Sequence, residues 1–103
     1  MSFESSEMIP RDHPALAGHF PGNPVVPAVL VLETVIGVAR RWRGASRVRA
    51  IPAARFLAPL APGRTFLVRL HALDGARIAF ECLQDERTLA RGELLVEEPG
   101  SGR

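Results

Sequence analysis

The spacing of apolar positions changes once along the chain. Val29, Leu30, Val31, Leu32, Val35, Ile36, Val38 and Ala39 form a nearly continuous hydrophobic run. That density predicts a helix from about Pro27 to Trp42, apolar on almost every side and therefore buried on most faces. Pro27 suits a first helical position, where its missing N–H costs nothing. Arg40, Arg41 and Arg43 followed by Gly44 supply the stop signals. Beyond Gly44 the period falls to two. Strands are predicted over Val48–Leu57, Thr65–Leu73, Ala76–Leu83 and Leu89–Val96. Phe66, Val68, Leu70 and Ala72 share one face of the second. Ile78, Phe80 and Cys82 share one face of the third, and Ala90, Gly92, Leu94 and Val96 one face of the fourth. Another short strand falls around Phe3 to Ile9. Asp74-Gly75 predicts a two-residue hairpin, with further turns at 84–87 and Pro62-Gly63. Residues 13–27 carry His13, Pro14, Gly18, His19, Pro21, Gly22, Pro24 and Pro27, which forbids helix and regular sheet and leaves an ordered loop. One helix followed by an antiparallel meander gives an α+β architecture, a sheet curled around a long buried central helix. A single domain over 1–103 is expected, with a strand region in 1–12 and a flexible tail at 99–103.

Composition narrows this. An apolar content of 47% against 23% charge fits a globular chain. A domain of 103 residues buries a modest share of its surface, so pairing with a second copy would help it. The pI of 9.9 arises because every one of the 13 side-chain cations is arginine, which does not titrate in the usable range. With a net charge of only +2, the pI is no sign of nucleic-acid binding. Cys82 stands alone, which excludes an intrachain disulfide and fits a reducing compartment. The acidic N-terminus lacks the basic and apolar regions of a signal peptide. Prolines and Glu33 break the longest uncharged stretch, so no membrane span is expected and a cytoplasmic location is.

The candidate chemistry lies in that same stretch. Between His19 and Arg40 are twenty residues with one charge, Glu33. A carboxylate in apolar surroundings tends to keep its proton, because desolvation disfavours the charged form. It could then act as a general acid, with the His19 imidazole as base. The position just before the helix holds no Ser, Thr, Asp or Asn; Val26 is there. The first N–H groups, of Ala28 and Val29, are thus uncapped at the positive end of the helix dipole and form a ready oxyanion site. Plainer roles stand beside these. His19 could be a loop histidine bonded to carbonyls, and Glu33 a buried partner of an arginine such as Arg55. His13 and His71 are expected to be structural or exposed, and Cys82 part of the core. No cluster has metal-ligand spacing, and no metal or other cofactor is expected. Arg40, Arg41, Arg43, Arg47, Arg49 and Arg55 crowd sixteen residues. They are a solvated helix end and strand face, or a docking patch for an acidic partner or for phosphate groups; nucleic acid is a distant third.

The run His19-Phe-Pro-Gly-Asn-Pro-Val-Val-Pro-Ala-Val-Leu-Val-Leu-Glu33 resembles the active-site segment of the hot-dog-fold β-hydroxyacyl-ACP dehydratases of the FabA/FabZ type. That pattern is His-Phe-Pro-Gly-x-Pro, a hydrophobic pair, Pro-Gly, then a helix whose acid follows the histidine by fourteen positions. Arg55 to Gly63 resembles the family's strand and turn ending in Pro-Gly, and the likeness covers roughly residues 12 to 97. It implies a hot-dog fold, His19 and Glu33 as catalytic residues, and Gly22, Pro27, Ala28 and Val29 as substrate-binding. It also implies a 3-hydroxyacyl group on acyl carrier protein as substrate, no cofactor, and a homodimer, or an assembly of dimers, whose site is shared across the twofold. Ala28 stands where the family usually has glycine, and Gly37 where it often has glutamine. The lead-in His13 to Gly22 resembles the small dehydratase-like members linked to aryl-polyene or secondary lipid pathways. Two alternatives stay open: an acyl thioesterase on the same fold, with Glu33 activating water, and a catalytically silent subunit that binds acyl carrier protein.

Overall fold

The computed structural model describes residues 1–16, 25–44 and 47–97. In chain order the elements are β1 (Ser2–Met8), a 3-10 turn (Pro14–Leu16), α1 (Ala28–Arg43), β2 (Val48–Phe56), β3 (Thr65–Ala72), β4 (Arg77–Gln84) and β5 (Arg87–Val96). The five strands form one antiparallel sheet in the order β1-β3-β4-β5-β2. The expected meander is thus β3-β4-β5, with β1 and β2 added at opposite edges. The predicted loop over 13–27 contains a short 3-10 turn, in which Leu16 N–H donates to the His13 carbonyl. Residues 17–24 lie outside the described residues, as do 45–46 and 98–103, which include the expected tail.

Alternation along the strands decides which sheet face meets the helix. Phe66, Val68 and Leu70 on β3, Ile78, Phe80 and Cys82 on β4, and Ala90, Leu94 and Val96 on β5 are all buried. They pack against Leu30, Val31, Val35, Val38 and Ala39 of α1 in one core. A register shift between Cys82 and Leu83 turns Leu89 inward beside Ala90. At Gly92, a β-carbon would lie 2.2 Å from the Ala53 carbonyl oxygen and 2.8 Å from the Phe80 ring. No larger residue lets β2 cross β5 at that distance.

Two turn expectations are corrected. Four residues, 73–76, separate β3 from β4, so Asp74-Gly75 is not a two-residue hairpin; Leu73 N–H and Arg77 N–H close a wider loop. The tight turn is at Asp85-Glu86, both at positive φ (54° and 63°), where the expected turn over 84–87 shrinks to two residues. The twist of β4 and β5 favours that mirror-image turn even without glycine.

The helix is also corrected. It begins at Ala28, with Pro27 as its N-cap, and ends at Arg43 before Gly44 (φ 72°). One stripe of it is exposed, while its other faces are buried or half-buried as expected. Ala28, Val29, Glu33, Gly37, Arg40 and Arg41 are exposed, because a single sheet covers only one side of a helix. Its C-terminal end is tied to β1. Trp42 stacks on Phe3 with ring centroids 6.0 Å apart, the Arg43 guanidinium lies 4.9 Å over Trp42, and Arg41 pairs with Glu7 at 2.6 Å. Among the described residues no helix is long and apolar enough to cross a membrane.

Candidate active site

At the N-terminus of α1, Pro27 is extended (φ −61°, ψ 147°), and among the described residues no side chain caps the helix. Leu30 N–H and Val31 N–H both donate to the Pro27 carbonyl, at 3.0 and 3.4 Å, so the first turn is closed from its third residue onward. The Ala28 and Val29 N–H groups precede that closure, as the sequence predicts. A missing cap costs about 1 kcal/mol. Burial of Leu30, Val31, Val35 and Val38 contributes roughly 1.5–3 kcal/mol each and outweighs it. Among the described residues, no group fills the two donors at its positive end.

Those donors adjoin a cavity of about 390 Å³ between the helix start, the end of β2 and β5. Val25, Val26, Ala28 and Val31 form one side; Phe56, Leu57, Ala58, Pro59 and Leu60 form a second, with Leu89 and Ala90 behind. Every lining residue is apolar, which suits a hydrocarbon chain ending at a polar head near Ala28. Val29, Phe56 and Leu57 are exposed at 59%, 41% and 48%, so the apolar surface continues outward beyond the cavity.

The cavity wall is fixed by a residue that sequence reasoning missed. Gln84 lies in the segment expected as a turn, yet it is the one buried polar side chain among the described residues. Its Oε1 accepts from Ala61 N–H (3.0 Å), and its Nε2 donates to the Ala61 carbonyl (3.1 Å). Ala61 follows Leu60, whose carbonyl accepts from Val26 N–H at 3.1 Å, two residues before the helix. Gln84 therefore anchors the strap that holds Val26 at the entrance to α1. Only its place at the inward end of the β4 alternation after Ile78, Phe80 and Cys82 could have signalled this.

The expected site residues divide. Pro27, Ala28 and Val29 are together at the helix start, with Ala28 in the cavity wall. Glu33 is one turn beyond Val29 on the same helix stripe; it does not line the cavity, and it is exposed. The expected apolar burial of Glu33 is thus corrected for a single chain, and no ion pair with Arg55 forms. His19 and Gly22 lie outside the described residues. The other histidines have structural partners: His13 Nδ1 accepts from Ala15 N–H at 3.0 Å, and His71 Nδ1 is 2.9 Å from Ser2 Oγ. Cys82 is in the core, where burial pushes its thiol up to about 12.

Residues 2–93 match a family model described as ApeI-like, ApeI dehydratase. The chain is 32% identical over 87 residues to the 3-hydroxyacyl-[acyl-carrier-protein] dehydratase FabZ of Thermus thermophilus, covering 76% of this chain and 58% of that one. It spans only 21% of another curated relative, the bifunctional enzyme LpxC/FabZ of Chlorobaculum tepidum. In structure it is similar to the dehydratase heterocomplex ApeI:P from Xenorhabdus doucetiae, with a TM-score of 0.78, 21% identity, and 92% and 86% of the two chains covered. The fold is shared more widely. The fluoroacetyl-CoA thioesterase FlK matches with a TM-score of 0.68 at 16% identity, over 95% and 86% of the chains. The α+β hot-dog architecture expected from the sequence is the one these neighbours have.

Proposed function

The chain belongs to the ApeI-like dehydratase family, and on that footing we propose that it removes water from a 3-hydroxyacyl thioester to give a trans-2-enoyl thioester. The observation that carries this most is the uncapped helix N-terminus at an apolar cavity. It offers two N–H donors where a thioester oxygen gains negative charge, and an apolar space for an acyl chain.

The chemistry needs a base and an acid besides those donors. His19 takes the proton from the carbon next to the carbonyl. The electron pair moves toward the thioester oxygen, held by Ala28 N–H and Val29 N–H. The C–O bond to the β-hydroxyl breaks as Glu33 gives it a proton, and water leaves. Proton return from His19 to Glu33 through solvent resets the pair. Pro27 and Gly22 shape the approach to the helix start.

Glu33 needs a second chain for this role. A carboxyl group favours its neutral, donating form when desolvated. In one chain the stripe Val29, Glu33, Gly37 faces solvent. A partner copy on that stripe would bury Glu33 and bring it to the other copy's His19, making a homodimer with a shared site. The heterocomplex among the structural relatives makes a homologous chain a second possible occupant. Acyl carrier protein is the proposed donor of substrate, and the exposed Arg40, Arg47 and Arg49 suit its acidic surface. The proposed location is cytoplasmic.

Thioester hydrolysis is the second possibility, since thioesterases share this fold. One assay separates the two. A 3-hydroxyacyl-ACP is supplied, and enoyl absorbance and free thiol are followed together. Enoyl product from the wild type, lost in His19→Ala and Glu33→Gln, is the expected result. Free thiol without enoyl product would mean a thioesterase; neither product, with acyl-ACP still bound, a silent subunit.

A further inference from the structure

The sheet face turned away from α1 carries one row of charged side chains across all five strands. Register sets Glu4 opposite Arg69, Arg69 opposite Glu81, Glu81 opposite Arg91, and Arg91 opposite Arg55. The signs alternate over four strands and then fail at β5–β2, where arginine faces arginine. Two acids face three arginines, so one positive charge is left over at the β2 end.

The neighbouring groups do not cancel it. Arg69 Nε is 2.8 Å from Glu4 and its Nη1 3.3 Å from Glu81, whose other oxygen accepts from Thr88 Oγ1 at 2.8 Å. Arg77 Nη2 holds both oxygens of Glu93, at 3.0 and 3.2 Å. Arg55 and Arg91 have no ion pair among the described residues. Like charges directly opposite on neighbouring strands destabilise a sheet. Both side chains line an open cavity of about 770 Å³, where the adjacent row has Ala79 and Ala53 on either side of Glu93, whose carboxylate Arg77 holds. Those small residues leave room beside the two guanidinium groups.

We propose that Arg55 and Arg91 form a binding site for a phosphate ester. Guanidinium is planar, always charged and forked, and it matches phosphate oxygens in pairs. An anion between the two arginines would complete the alternation of the row. Their chain neighbours Phe56 and Ala90 line the apolar cavity on the opposite face, so the two sites are back to back across one strand pair. Phosphate esters occur both in a phosphopantetheine arm and in the nucleotide of coenzyme A. The site itself does not depend on the proposed reaction.

Calorimetric titration with 4′-phosphopantetheine and with adenosine 3′,5′-bisphosphate tests this and tells the two sources apart. Pantetheine and sodium chloride at matched ionic strength are the controls. At least one of the esters should bind the wild type, and Arg55→Gln and Arg91→Gln should each weaken it roughly tenfold to a hundredfold. Without ligand at low salt, Arg55→Gln should melt above the wild type, because it removes the like-charge pair while Arg91 keeps Glu81 opposite it. The proposal is overturned if neither ester binds beyond the salt control. Equal binding by both variants and wild type also overturns it, as does binding of an acidic carrier protein with neither ester.

Discussion

Cys82 shows how one residue's surroundings set its chemistry. It is fully enclosed between β3 and β5 neighbours, and desolvation, aided by the Glu81 charge, raises its thiol from 9.0 to about 12. Only a thiolate attacks alkylating agents, so Cys82 should stay unmodified by iodoacetamide at pH 8 in the native protein and react once urea unfolds it. The linkage has a definite sign. Below the unfolded pKa both states hold the proton and Cys82 leaves stability unchanged by pH. Above it the unfolded chain loses the proton first, so the stability present at lower pH is lost as pH rises from 9.0 toward about 12. Denaturant titrations at pH 8 and pH 10.5 on the wild type and Cys82→Ala check this; the wild type should lose more between the two. Its burial was legible beforehand from alternation with Ile78 and Phe80. The exposure of Glu33 was not. Its apolar neighbours in sequence occupy other faces of the helix, and sequence proximity says nothing about which face a sheet covers.

At the scale of elements, alternation fixed the inward faces of β3, β4 and β5 because one side of each strand is core. It carried less about turns. Asp74-Gly75 has favoured hairpin residues but sits in a wider loop, while Asp85-Glu86 accepts positive φ to close β4 onto β5. Gln84 escaped notice for a related reason. A polar residue at a strand end resembles the start of a turn, and its partners at Ala61 are more than twenty positions away. That clamp joins β4 to the strap before β3 and, through Leu60, to the helix entrance. Gln84→Leu keeps the volume but leaves the Ala61 N–H and carbonyl unmet, which should cost about 1–3 kcal/mol in urea unfolding. If the strap also sets the helix start, the variant's KM for acyl substrate should rise more than its kcat falls. An unchanged unfolding midpoint would remove Gln84 from this role.

The whole molecule is open along one helix stripe. Val29, Glu33 and Gly37 face outward, and Phe56 and Leu57 are exposed as well. The motif from His19 to Glu33 was legible as a resemblance, since its prolines and its fourteen-residue spacing survive in a single sequence. That one chain leaves Glu33 away from the cavity was not legible, because spacing along a chain does not say whether two groups meet within it or across copies. The central claim is a dehydration site built from His19 of one copy and Glu33 of another. Subunit complementation tests it most directly. His19→Ala and Glu33→Gln are unfolded together, refolded as a mixture, and assayed for enoyl product from a 3-hydroxyacyl-ACP. Each variant alone should be inactive, and the mixture should regain about a quarter of wild-type activity, since half the dimers are mixed and each holds one intact site. A mixture as inactive as its components, with mixed dimers demonstrated by mass, would contradict the shared site.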